Sequence, residues 1–537
     1  MMHKQSKKCL IIIAVAAIIC ALLTSAFLWI LLNFESIVDK KLAQSISITP
    51  GSAVYSNWVC PDTPVLFSIY LFNITNRKEI LAGAKPRVQE IGPYVYREKR
   101  EKTNITFAGD NDYSNVTFNL RITYFLDRDL SVGDPDKDRI VGLSIPFVAM
   151  SAGLDAGTGP SDTEYSFLTL FATPQLFVKT TVTKYLWGYV DEILDACNSF
   201  TPDKCPSKKV GIMFGKNGTD NGPFTIDTGV NDISQVGRIL TYQNKSTVDV
   251  WSSAEASMIN GTDGSQLAPN LKRNSTRYIF ANDLCRSFLL EVKGPGKLTN
   301  SKDLKVYLVG GTPQTALPAS KYPYNKGFCA PKTPGPECPP QGLFDLSSCR
   351  AQGDTRPPIY SSQPRFFGAD PSLREAIDGM VQPTTENSET KVYVEPKTGL
   401  VLEAYKRLQV SVYVRQAKAM SDVYQNFTKR IFFPLAWFEE SAVADGAALN
   451  MLHKNLYVMP KIMHIILLTL FGLFLAVFVA LALVLVVQAV LYCCSPRRPG
   501  GKAVSSAPWV ADDVRYQPVN KGASRGIPLA EGGSAKA

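Results

Sequence analysis

The sequence predicts an α+β membrane protein with two spans and one large extracytoplasmic domain between them. Three observations predict it. A long apolar segment lies near each end of the 537-residue chain, all eight Asn-x-Ser/Thr sequons fall between the two, and the intervening sequence reads as short strands interrupted by a helical stretch. With 45% hydrophobic and 19% charged residues, the chain is too apolar to be disordered. The net charge of +10 is spread thinly and contains no Lys/Arg block, so nucleic acid is not an expected partner. Histidine occurs only as His3, His453 and His464, which argues against a His-rich metal site or a His-based triad. No metal or cofactor is expected.

The first span is assigned to 9–34, because Cys9 to Phe34 carries no charge. The second is assigned to 461–492, where Ile465 to Val487 is apolar apart from Thr469 and Gly472. Each exceeds the ~20 residues needed to cross a bilayer core, and in lipid each must be helical. A cleaved signal peptide ending near Thr24-Ser25-Ala26 is the competing reading of the first. Its apolar run is longer than the ~7–15 residues usual for such a segment. Lys4, Lys7 and Lys8 precede the first span, and Arg497, Arg498 and Lys502 follow the second. Basic flanks mark the cytosolic side, so 1–8 and 493–537 are expected in the cytosol and 35–460 in the lumen or outside the cell.

The sequons are Asn73, Asn104, Asn115, Asn217, Asn244, Asn260, Asn274 and Asn426. Cys60, Cys197, Cys205, Cys285, Cys329, Cys338 and Cys349 share their compartment, where disulfides persist. Seven is odd, so at least one thiol stays free or pairs with another chain, and spacing alone leaves the connectivity open. Cys197 and Cys205 are close enough in sequence for a local bridge.

Strands are expected at 65–72, 94–96 and 118–125, then at 236–242, 276–281, 305–309, 391–395, 400–404 and 408–414. Glu395-Pro396-Lys397-Thr398-Gly399 reads as a hairpin turn, and Gly92-Pro93-Tyr94 as a strand-entry turn. The run Arg97-Glu98-Lys99-Arg100-Glu101-Lys102 alternates in sign and reads as a solvated face. Over 141–198 apolar residues recur at near-helical spacing: Phe167, Leu170, Phe171, Leu176, Phe177, Leu186 and Trp187. Pro174 should split this region into two helices. Residues 321–364 are Pro-rich and hold three cysteines, as a stapled loop would.

Several motifs, in order, resemble the class B scavenger receptor family. Members include a fatty acid translocase, a high-density-lipoprotein receptor, a lysosomal integral membrane protein and insect sensory neuron membrane proteins. The motifs are Tyr70-Leu71-Phe72-Asn73-Ile74-Thr75-Asn76, Glu90-Ile91-Gly92-Pro93-Tyr94-Val95-Tyr96-Arg97, Leu186-Trp187-Gly188-Tyr189 and Ile259-Asn260-Gly261-Thr262-Asp263-Gly264. Leu284-Cys285-Arg286-Ser287-Phe288, Phe344-Asp345-Leu346-Ser347-Ser348-Cys349, the Glu395–Gly399 turn and Lys406-Arg407-Leu408-Gln409-Val410 follow. The resemblance implies a lumenal antiparallel β-barrel-like domain, a helical bundle at its membrane-distal apex, and an internal apolar tunnel for fatty acids, sterols or their esters. It implies the pairs Cys285–Cys349 and Cys329–Cys338 within a disulfide region spanning 285–349. A third family bridge is missing, because its positions are taken by Ala256 and Gly327. Cys60 is left over.

The apex departs from relatives whose heads are basic. From Phe147 to Tyr185 the net charge is −1, and no histidine lies between His3 and His453 to act as a pH sensor. Candidate ligand-binding residues there are Phe167, Leu170, Phe171, Phe177 and Lys179. The apolar faces over 167–187 fit either a docking patch or the packed inside of the bundle, and packing is the favoured reading.

The expected function is a scavenger-type receptor of the cell surface or the endosome–lysosome membrane. It would bind lipids, sterols, lipoproteins or particles and pass lipid through the tunnel to the bilayer. An enzyme is not expected, and a homo-oligomer is left open. One alternative is an ecto-nucleotidase with two anchors, suggested by Asp155-Ala156-Gly157-Thr158-Gly159 and Asp227-Thr228-Gly229. A two-span ligand-gated channel is another, though a pore needs more polar lining than Thr469. Cys9, Cys493 and Cys494 sit beside basic residues at the membrane edge and suit S-palmitoylation. In the Gly/Ala/Ser/Pro-rich tail, Tyr516 and Val519 fit the Tyr-x-x-apolar pattern read by clathrin adaptors.

Overall fold

The computed structural model describes residues 2–494 except 110–111, 158–160, 203–204, 206, 330–334 and 352–355. It divides into two units, the described parts of Met1–Thr24 and Gly472–Ala537 forming one and Ser25–Phe471 the other. The terminal helices run Met2–Leu32 and Met459–Cys494. Ile11, Leu22, Leu483 and Val486 stand exposed along them, an arrangement that water penalises and lipid does not. Thr24 donates to the Cys20 carbonyl at 2.7 Å and Thr469 to that of Ile465 at 2.9 Å. These hydroxyls are spent on their own helices rather than on a pore.

The larger unit is built on one antiparallel sheet. In chain order its main strands are β1 (Val65–Ile74), β2 (Val88–Gly109), β3 (Asp112–Asp127), β4 (Asp220–Asp227), β5 (Ile239–Tyr242) and β6 (Thr276–Ala281). They continue as β7 (Arg286–Gly296), β8 (Val306–Gly311), β9 (Lys391–Val394), β10 (Val401–Val414) and β11 (Ile431–Val443). Their spatial order is β6-β7-β8-β9-β10-β11-β1-β2-β3-β4-β5, with two short strands, Phe344–Asp345 and Ile359–Ser362, attached through β10. This is the order of a meander whose last strand has come round to pair with its first. The edges β5 and β6 are then joined through Gly261-Thr262. Ile239 N donates to Gly261 O at 2.8 Å, and Phe280 N donates to Thr262 O at 2.8 Å. The sheet is therefore a near-closed barrel, with an inward and an outward face on every strand.

A helical cap covers one end. The helix Ile145–Ala156 starts at the Ser144 cap and ends at Gly157 in the left-handed conformation, φ 67°. Its Phe147 and Val148 pack with Tyr165, Leu168, Phe72, Val412, Val414 and Phe433. These strand residues mark the end of β1 and the start of β11. The chain enters β1 and leaves β11 at the opposite end, where Phe34 lies 5.0 Å from His464. The cap therefore sits at the far end of the barrel from both terminal helices' junctions with it.

Four expectations change. The segments 400–404 and 408–414 are one strand, β10, bulged at Val410/Ser411. Gly92-Pro93-Tyr94 lies inside β2 at a register shift opposite Tyr70, where a side chain on Gly92 would press on the β1 backbone. Phe177 begins a strand, Phe177–Thr181, paired with Arg139–Leu143, so the region after Pro174 is not helical throughout. The run 97–102 is a strand segment with only alternate residues facing outward.

Three bridges form: Cys197–Cys205, Cys285–Cys349 and Cys329–Cys338. Arg286 anchors the Pro-rich loop. Its guanidinium lies 3.6 Å from the Phe328 ring centre and 5.1 Å from that of Phe344, and it donates to Asn325 at 3.1 Å. Ala256 and Gly327 face each other: a Cβ on Gly327 would lie 2.9 Å from that of Ala256. Here the Gly327 carbonyl instead accepts from Ser252 N and Oγ, at 3.1 and 2.9 Å.

Gly261 has φ +84°, and a Cβ there would collide with the Tyr278 carbonyl. Gly261→Ala should cost on the order of 3 kcal/mol or more, read as a drop in the Tm of the detergent-solubilised chain. Gly311→Ala has open space and should be near neutral.

Candidate functional site

β2 carries the site because its inward face changes character along its length. Tyr94 and Tyr96 are buried in an apolar cluster with Phe67, Ile69, Tyr185, Leu186 and Phe438 beneath the cap. Side chains alternate, so the same face continues as Glu98, Arg100 and Lys102, moving away from the cap. Arg100 reaches Glu98 on its own strand at 2.5 Å and Glu440 on β11 at 2.6 Å. Lys406 on β10 lies opposite Glu440 and pairs with it at 3.2 Å. The outward residues of the run pair separately, Arg97 with Asp127 and Lys99 with Glu101, each at 2.6 Å. Glu98, Arg100, Lys406 and Glu440 thus form a charged belt inside the barrel.

The belt's two carboxylates share Arg100 but differ in surroundings. The Glu98 side chain is 1% exposed against 26% for Glu440. Burial and the neighbouring Glu440 push Glu98 up to about 7 despite Arg100. Burial also works against ionised Glu440, but Arg100 and Lys406 outweigh it and hold that carboxyl at about 2. One proton held in this pair therefore rests on Glu98.

Below the belt, the Lys102 ammonium lies 4.8 Å from the Trp58 ring centre and 5.5 Å from that of Phe118, and donates to the Trp58 carbonyl at 2.6 Å. Burial lowers its pKa, with Asp263 acting in the opposite sense. Asp263, from the seam loop, is exposed. Burial raises its pKa, but Lys102, Ser265 and Lys406 together hold it below the ordinary value. The polar face of β2 meets a further apolar cluster here, including Val116, Phe118, Phe224 and Ile226.

On the outer face, Arg365 grips Glu90 through two contacts of 2.8 Å, and Trp437 donates to Glu90 at 3.1 Å while stacking on Tyr70 at 3.8 Å. The Gln409 side chain accepts from Arg365 N at 2.7 Å. This network clamps the segment covering the sheet, and it gives the Glu90 and Gln409 motifs a structural role.

The cap presents an aromatic patch. Phe167, Leu170, Phe171 and Phe200 are 45%, 75%, 57% and 45% exposed. The three phenylalanine rings meet, with Phe171 4.5 Å and Phe167 5.0 Å from Phe200. Packing inside the bundle is therefore the wrong reading for Phe167, Leu170 and Phe171. Phe177 is half-buried against the core and Lys179 is exposed, both on the 177–181 strand rather than beside the patch.

Of the sequon residues, Asn104, Asn217, Asn244, Asn274 and Asn426 are exposed, while Asn73, Asn115 and Asn260 are half-buried. The Asn73 side-chain oxygen Oδ1 already accepts from Val141 N at 2.9 Å. Cys9, Cys60, Cys493 and Cys494 are exposed thiols. Tyr516 and Val519 lie outside the described residues. The described residues of the two nucleotidase-like turns are engaged within the protein. Asp155 pairs with Arg415, with Thr158 and Gly159 outside the described residues; Asp227 accepts from Gly229 N at 2.8 Å and Thr228 binds the Tyr113 and Ser114 carbonyls.

A barrel of this topology, capped at one end, in a chain with a long apolar helix near each terminus, defines a class that sequence comparison identifies. The CD36 family model matches residues 15–485, and the chain belongs to that family. Lysosome membrane protein 2 of Mus musculus is 33% identical over 432 residues, covering 80% of this chain and 86% of the relative. The Homo sapiens protein of the same name is 34% identical over 437 residues, covering 79% and 84%. Scavenger receptor class B member 1 of Sus scrofa is 32% identical over 433 residues, covering 80% of each. Family and terminal helices together make this a membrane protein.

The Glu98 carboxyl binds its proton more tightly folded than unfolded. Its contribution to stability is full below about pH 4.5 and is lost as pH rises through about 7. Relative to Glu98→Gln, the wild-type chain should lose on the order of 1–3 kcal/mol between pH 5 and 8. Tm measured across that range checks this; parallel slopes would remove Glu98 as the titrating group.

Proposed function

We propose that this protein is a glycosylated scavenger-type receptor that docks a lipid particle or lipoprotein on the aromatic patch of its cap and carries lipid through the barrel interior toward the bilayer. The observation that carries the reading is the cluster of Phe167, Leu170, Phe171 and Phe200, held together and exposed on the cap of the barrel. Exposed apolar surface of this kind marks contact with another apolar surface. The cap's net charge of −1 over 147–185 favours a neutral lipid surface over an anionic one. Membership of a family whose named relatives include scavenger receptors and lysosome membrane proteins supports the receptor reading.

Glutamate at Leu170 and Phe171 should leave Tm nearly unchanged, since both are exposed. Flotation with phosphatidylcholine-coated triolein particles should fall about tenfold, as losing two buried apolar anchors implies. Unchanged flotation would overturn the cap as the docking face.

The basic flanks support cytosolic termini and residence at the plasma membrane or the endosome–lysosome membrane. In this reading Cys9, Cys493 and Cys494 are acylated and Tyr516 with Val519 engages a clathrin adaptor. An epitope placed after Ala537 should be reachable only after permeabilisation, and Tyr516→Ala should raise the surface fraction. An epitope stained on intact cells would reverse the topology.

A further inference from the structure

We propose that the end of the barrel opposite the cap is a basic face that rests on anionic phospholipid headgroups of the bilayer its own chain spans. Three segments meet there, all within the larger unit. The loop 297–305 joins β7 to β8, the turn 395–400 joins β9 to β10, and 445–461 leads from β11 into the second apolar helix. Leu298 and Leu304 of the loop pack with Leu449, Leu452 and Tyr457. Asn300 donates to the Ala444 carbonyl at 3.0 Å, and Tyr457 donates to Glu395 at 2.6 Å. Lys397 lies 4.9 Å from the Tyr457 ring centre. The charge on this face is one-sided. The three segments carry Lys297, Lys302, Lys305, Lys397, Lys454 and Lys461 against Asp303, Glu395 and Asp445. All six lysines are exposed, and none forms an ion pair among the described residues. Two of the carboxylates are engaged elsewhere. Glu395 is buried and accepts from Thr398 N and Oγ1 at 2.8 and 2.7 Å, and Asp445 caps Ala448 N at 2.8 Å. Like charges gathered in this way repel one another, and a surface of opposite sign relieves them.

The helix selects that surface. Ile465 opens the uncharged run, and Lys461 and Lys454 precede it by four and eleven residues. At ~1.5 Å per residue they stand about 6 and 16 Å along the helix from the start of that run. Tyr457, and Lys397 beside it, fall between them. A headgroup layer is on the order of 6 Å thick, and attraction reaches about 10 Å beyond it at about 0.1 M salt, which covers this span. Met459, Ile462 and Met463 stand exposed among the helix lysines, as apolar side chains do at the boundary of headgroups and acyl chains. The cations are spread over a loop, a turn and a helix rather than converging on one point. That spread suits many headgroups rather than a single bound phosphate. Phosphatidylcholine brings no net charge, so the contact needs a leaflet containing a lipid such as phosphatidylglycerol or phosphatidylserine. Each lysine near such a surface strengthens the contact about fivefold.

The test places the full-length chain in nanodiscs of phosphatidylcholine alone, or with about 30% phosphatidylglycerol, and reads amide hydrogen exchange by mass spectrometry. Exchange over 297–305 and 395–400 should slow about threefold or more in the anionic discs. Raising the salt to about 0.5 M should reverse most of that slowing, while the cap segment 162–171 exchanges alike in both discs. The triple variant Lys302→Gln, Lys305→Gln, Lys397→Gln should keep the wild-type Tm, because all three side chains are exposed, and lose the difference between the discs. The corresponding triple change to Arg, which keeps the charge, should retain it. Equal exchange of the wild-type chain in the two discs overturns the proposal. So does a slowing that survives in the Gln variant or is indifferent to salt.

Discussion

Closure of the sheet is the constraint on which the rest depends. Eleven strands follow one another round the barrel, and the gap between β5 and β6 is bridged by two residues, Gly261 and Thr262. Because Thr262 must exchange hydrogen bonds with β6 while Gly261 reaches β5, the backbone at 261 passes against Tyr278 in a conformation open to glycine. Once the edges are joined, every inward side chain faces the other strands rather than water. A charge on that face then has to find its partner across the interior. Arg100 does so by reaching from β2 past β1 to Glu440 on β11.

The architecture was largely legible in the sequence, since apolar length, sequon placement and strand alternation are local signals. The charged belt was not. A run of alternating charge such as 97–102 looks the same on a solvated surface as on a strand, and charge alone favours the surface. The signal lay upstream: Tyr94 and Tyr96 occupy the same parity as Glu98, Arg100 and Lys102, so the strand's inward face could have been followed into the charges. Glu440, Lys406 and Asp263 had no such cue, because their relation to Arg100 and Lys102 exists only after closure. Phe200 was missed because it sits past the helical region's apolar stripe and joins Phe167 and Phe171 through tertiary packing.

No histidine lies between His3 and His453, yet the barrel is not indifferent to pH. Two carboxylates sharing one guanidinium cannot both ionise freely at low exposure, and the more buried of them takes the proton. The environment, rather than the residue type, brings a titration near neutrality. Glu90, on the outer face, is held in a different arrangement. It has Arg365 to itself, with Trp437 donating as well, and its role there is to fasten a covering segment.

An ion cluster inside a protein is weak as a source of stability, because desolvation offsets much of the attraction between its members. The belt is better understood through what it does to the interior. It places a polar layer between the aromatic cluster under the cap and the apolar cluster beyond Lys102. The belt's own members are occupied with one another, and Lys102 at its lower edge is held by the Trp58 carbonyl and the field of Asp263. The barrel is thus polarised along its axis. An aromatic cluster lies beneath the cap, charge is neutralised in the middle, and a second apolar cluster lies beyond Lys102.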